Sequence, residues 1–128
     1  MAEMKWLDAQ VQLKRMYNLL GEVESLTRQL AEAVDRSDQV TVELLLGMRE
    51  DPIRQLDAAR TALRAVAQAP ETPESSRLRE LLRGGPAQTE AETVLSQQVA
   101  QNDRLLERVR TLDRVVNQKL TREQSVYQ

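Results

Sequence analysis

The chain has 128 residues, with 18 Lys and Arg against 20 Asp and Glu, no His, no Cys, and only one Trp and two Tyr as aromatics. That length suits one domain spanning 1–128. The missing His and Cys remove the commonest proton shuttle and metal ligand, any disulfide framework and any thiolate nucleophile. Charge is balanced along the chain, so no basic or acidic block invites nucleic acid or an anionic membrane. No stretch approaches the roughly 20 apolar residues that span a bilayer, and 1–6 lacks an apolar signal region. A soluble, cytoplasmic protein without cofactors is expected. Leu, Val, Ala and Met must build any core, and they pack between helices better than in a sheet.

The first predicted helix covers about 3–34. Met16, Leu19, Val23, Leu26, Leu30 and Ala33 alternate at three and four, and Leu20 and Val34 widen the stripe toward more than one neighbour. Gly21 falls inside this pattern, either to admit a close helix or as a tolerated surface residue. Asp35-Arg36-Ser37-Asp38 breaks the helix, with Ser37 or Asp38 as N-cap of a second helix over about 38–67. So short a loop predicts antiparallel neighbours. Val42, Leu45, Ile53, Leu56, Ala59, Leu63 and Val66 share one side of that second helix. Pro52 interrupts it, but the apolar phase survives, which favours a kinked continuous helix over a break.

Over 68–86 the composition turns to Pro and Gly, the chemistry of a connector. Within it, 75–83 has the pattern of a short helix capped by a serine and stopped by Gly84 and Gly85. The last helix, about 88–125, carries Leu95, Val99, Leu106, Val109, Leu112, Val116 and Leu120 at helical spacing. Asn102 interrupts this stripe. It either sets register across a seam or sits at the edge of a stripe that rotates. The fold class expected is all-α: long antiparallel helices in a hairpin or bundle with coiled-coil-like packing, plus a short helix in the connector.

Chemistry is hard to write on this chain. Glu22/Glu24, Glu50/Asp51 and Glu90/Glu92 are spaced by one or two, so they do not converge on one helix face and are expected to be solvated. Lys5, Lys14 and Lys119 belong to no Ser–Lys motif, and no Gly-x-Ser-x-Gly or phosphate-binding glycine loop occurs. Arg104, Arg108, Arg110 and Arg114 interleave with Glu107 and Asp113, which predicts a salt-bridged face rather than an anion site. An enzyme is not expected, and no metal site or catalytic residue is assigned.

The run Asn102-Asp103-Arg104-Leu105-Leu106, followed by Val109, Leu112, Val116 and a terminal Tyr127, resembles the C-terminal signature of FlgN-type flagellar export chaperones. Two long antiparallel helices precede that signature in the family, and Arg60 lies near an arginine the family often carries. The resemblance implies a cytosolic chaperone that binds the C-terminal amphipathic helix of flagellar hook-associated junction proteins. It would prevent their premature assembly and deliver them to the type III export apparatus, whose components are further implied partners. A client helix with apolar residues at i, i+3, i+4 and i+7 fits a groove beside the last helix. Leu105, Leu106, Val109, Leu112, Val116 and Leu120 are the expected contact row, with Asn102 and Tyr127 as polar registers at its ends. The alternative is a coiled-coil structural or adaptor protein without a client, whose stripes pair in a homodimer.

Overall fold

In a computed structural model the backbone is described over 2–68 and 70–126, and side chains over 5–68 and 70–122. Four helices follow in order: α1 Ala2–Asp35, α2 Gln39–Gln68, α3 Pro73–Leu82 and α4 Glu90–Val126. Among the described residues there is no strand. The all-α fold and its helical hairpin agree with the sequence reading.

Helix ends are set by local chemistry. At the close of α1, Asp38 N–H donates to Ala33 O (3.0 Å) and Ser37 N–H to Val34 O (3.0 Å), with Ser37 at φ 55°. This paired closure normally has glycine at the left-handed position. Asp38 then caps α2, its carboxylate accepting from Thr41 N–H (3.2 Å) and the Thr41 hydroxyl (2.6 Å). The cap of α3 departs from expectation. Thr72, not a serine, is its N-cap, Pro73 opens the first turn, and Ser75 at the third position bonds back to Thr72 N–H at 3.1 Å. Proline's fixed φ and missing N–H suit that first position. At its other end Gly84 takes φ 93° and Gly85 N–H donates to Glu80 O at 2.9 Å.

Helix α1 is the shared partner. It packs along both α2 and α4, whereas no Cα of α2 lies within 8 Å of a Cα of α4 among the described residues. The α1–α2 pair is antiparallel. The α1–α4 pair is parallel, because Asn102, Arg108 and Lys119 reach Leu13, Glu24 and Asp35 in turn. Side chains meet in layers that repeat every seven residues. Leu13, Leu63 and Val99 share the apolar cluster at the α3 end, and Leu20, Leu56 and Leu106 belong to the middle one. A third cluster, with Val34, Val42 and Leu120, fills the hairpin end. One further step of seven, between the middle and hairpin clusters, gives Thr27, Arg49 and Asp113, a polar layer within an apolar column. Thr27 is fully buried and donates to Val23 O at 2.7 Å.

Pro52 lies inside one continuous α2 and is buried, while Ile53, expected on the apolar side, is exposed. The core-facing phase therefore runs one residue earlier there. No side chain or foreign backbone lies within 4 Å of a Cβ built on Gly21, so that glycine does not serve a close helix approach.

Candidate binding groove between α2 and α4

Two helices that share a floor while their Cα atoms stay more than 8 Å apart leave a trough that side chains cross. Its floor is α1 and its walls are α2 and α4. Arg49 spans it, its Nη2 donating to Asp113 Oδ1 at 2.9 Å. That bridge fixes which faces form the walls, because residues three and four away on a helix share a face. On α2, Leu46 and Ile53 lie one turn to either side of Arg49, and both are exposed. On α4, Arg110 and Asn117 lie one turn to either side of Asp113 and are exposed. Beside the bridge, the exposed α2 residues are apolar and the exposed α4 residues polar.

Toward α3 the trough deepens into a cavity of about 230 Å³ at the junction of two apolar clusters. Leu13, Met16 and Leu20 form its floor, Leu56 and Leu63 one wall, Val99 and Leu106 the other, and Leu82 of α3 closes its end. Arg60, Asp103 and Asn102 complete the lining. Asn102 is buried, with 5% exposure, and its Nδ2 donates to Leu13 O at 3.0 Å. Its Oδ1 is buried without a protein partner.

The expected contact row is largely turned inward. Leu105 and Val109 are buried against Leu20 and Val23 of α1, and Val116 against Leu26, Leu30 and Val42. Leu120 is half-buried on the same hairpin-end cluster. Leu112 is half-buried beside Arg28 and Arg108, away from the trough. Of the row, Leu106 alone lines the cavity, together with Asn102. Tyr127 lies outside the described residues. Periodicity showed that the α4 stripe must be covered but not by what, and α1 covers most of it. Met16, Leu56 and Leu63 were legible as apolar positions, yet nothing local marked them as cavity walls.

The carboxylates also divide. Glu92 was expected in solvent but is buried, because it ties α3 to the start of α4. Its Oε1 accepts from Arg77 Nε (3.1 Å), Arg77 Nη2 (2.5 Å) and Gln88 N–H (3.0 Å). The Arg77 guanidinium, aided by the Gln88 amide, outweighs burial and holds the carboxyl below its ordinary value. Arg77 also donates to Pro86 O at 2.7 Å, and Lys5 Nζ joins Pro70 O (2.6 Å) and the Ser75 hydroxyl. Arg108 pairs with Glu24 and Arg114 with Glu107, as a salt-bridged face requires, but Asp113 is drawn across to α2.

No family model, curated protein or solved structure matches the chain. No helix among the described residues is long and apolar enough to cross a membrane.

Proposed function

We propose that this protein is a helix-binding chaperone of the FlgN type, holding the C-terminal amphipathic helix of a flagellar hook-associated protein in the trough between α2 and α4. The observation that carries this reading is the pairing of apolar Leu46, Ile53 and Leu56 on α2 with polar Arg110 and Asn117 on α4. An amphipathic helix laid along the trough would turn its apolar stripe to the first and its charged face to the second. The signature residues then divide the work. Leu105, Val109 and Val116 hold α4 on α1, while Leu106 and Asn102 stand at the deep end of the trough. Delivery to the export apparatus follows from the resemblance of the 102–116 run to that family.

Titration of the protein with a synthetic C-terminal helix from a hook-associated protein, followed by calorimetry, tests the reading. Ile53→Asp and Leu46→Asp change exposed side chains, so helicity should be unchanged while binding weakens at least tenfold. Unaltered binding in both variants would remove the trough from consideration. A second reading has its own observation: Val40, Leu44 and Met48 form an exposed row at i, i+4 and i+8 on α2. Such a row suits a homodimer seam. Concentration-dependent sedimentation that Leu44→Asp abolishes, without any peptide binding, would favour self-association.

A further inference from the structure

We infer that the outward face of α2 is the seam of an antiparallel homodimer, in which a second copy of this chain lays its own α2 along the first with Asp51 opposite the partner's Arg54. From Val40 to Ala65 the positions 40, 44, 47, 51, 54, 58, 61 and 65 alternate by four and three, the seven-residue repeat of a coiled-coil seam, and every one of them is exposed. The core-facing stripe of the same helix, Val42, Leu45, Ala59 and Leu63, is buried on the opposite side. Val40 is 79% exposed and Leu44 62%, with Met48 beside them at 50%. A second heptad stripe that begins with large apolar side chains in solvent has no use within the monomer.

Charge decides what covers this stripe and in which direction. In an antiparallel pair centred between 52 and 53, the Asp51–Arg54 contact occurs twice by symmetry. Gly47 then meets the partner's Ala58, Leu44 its Thr61 and Val40 its Ala65, so each long side chain faces a short one. A parallel pair would set Asp51 against Asp51 and Arg54 against Arg54. Sliding the antiparallel pair by one heptad sets Leu44 against Arg54 in one direction and Asp51 against Thr61 in the other. The face is therefore complementary to itself in a single register. At the rim Glu43 lies beside the partner's Arg64. Glu50 and Asp57 are like charges across that rim, but each is one turn from Arg54 on its own helix, which offsets their repulsion. Leu46 and Ile53 lie roughly 120° around α2 from the seam, so the trough stays open in the dimer. The inference rests on the self-association reading above and is independent of the client.

Sedimentation equilibrium of the full chain tests the seam, with helicity of each variant checked by circular dichroism. Wild type should show a concentration-dependent dimer. Asp51→Arg and Arg54→Asp, each alone, should raise the dimer Kd roughly tenfold or more, because four like charges then meet at the centre. An equimolar mixture of the two variants should dimerise again. Since the chain has no cysteine of its own, Gly47→Cys mixed with Ala58→Cys should join as a mixed disulfide under mild oxidation, and neither should join to itself. A dimer that both charge variants leave unchanged, or one in which Ala58→Cys joins to itself, would overturn this register while self-association stands. A wild-type chain that stays monomeric at millimolar concentration would overturn both.

Discussion

Replacing Glu92 with Gln isolates the charge that ties α3 to α4. The amide keeps one oxygen for Gln88 N–H and Arg77, so shape is preserved and ionic character is lost. Two Arg77 bonds at 3.1 and 2.5 Å lose the acceptor's charge and keep only the donor's. Each such change is worth about 1 kcal/mol, so Glu92→Gln should destabilise by about 2 kcal/mol at neutral pH, or roughly 8 °C in Tm for a chain of this size. Screening does not erase this, since the Glu92 and Arg77 side chains are only 8% and 23% exposed. The effect must also depend on pH. The folded carboxyl is held below 4.5, its ordinary value. Its charged-state contribution is therefore complete above 4.5 and disappears as pH falls through the folded value. Glu71, Glu74 and Asp38 are depressed too, but they are common to both proteins and cancel in the difference. Urea denaturation from pH 7 downward, read by circular dichroism and by Trp6 fluorescence, measures that difference. Trp6 packs on the same cluster as Leu78 and Leu81 of α3, so its emission reports that end of the bundle. A wild-type advantage that persists unchanged into strong acid, or that is absent at pH 7, would refute the assignment of this stabilisation to the ion pair.

Two glycines should respond oppositely to alanine. Gly21→Ala adds a Cβ in open space within a helix and should raise stability by about 1 kcal/mol, whereas Gly84→Ala forces a left-handed backbone and should lower it by about 1–2 kcal/mol; thermal melts of the two variants check both signs. Val116→Asp places an unpaired charge at a position 1% exposed, a loss of about 3–5 kcal/mol, and circular dichroism should show loss of helicity rather than a folded protein deficient in binding. Leu82→Ala should enlarge the cavity beside Asn102 and lower stability by about 2 kcal/mol, less than full core truncation because Leu82 is only half-buried; urea midpoints measure it.

Much of the fold was legible because its determinants are local. The stripe from Leu19 to Val34 is buried as its spacing required, Asp38 caps α2, and Gly84 and Gly85 end α3. Thr72 was overlooked as the α3 cap because Ser75 and Ser76 offer the same chemistry at the next plausible positions. Only Pro73, which suits the first helical turn, distinguishes Thr72. Glu92 was misplaced for a different reason. Its neighbour in sequence, Glu90, is exposed, and the two differ only in that the return of α3 brings Arg77 to Glu92. A contact between residues fifteen apart across a turn leaves no mark in helical periodicity.

The same limit explains the groove. An apolar stripe specifies an angle on a helix and a need for cover, and α1, α2 and α4 each carry one. Parallel packing of α4 on α1 satisfies Leu105, Val109 and Val116 within the chain, which leaves the wide side of the α1 stripe to floor the trough. Asn102 makes that arrangement register-specific. Its amide donates to Leu13 O from within an apolar seam, and a slip of less than a whole turn along α1 would leave Nδ2 buried without an acceptor. Thr27, Arg49 and Asp113 impose a second constraint two heptads along α1 from Leu13, where slipping would set the Arg49 guanidinium among leucines. Two polar levels in an apolar column weaken the core but leave a single way to assemble it. The trough is the consequence, because a bundle locked in that register cannot slide α2 against α4 to close it.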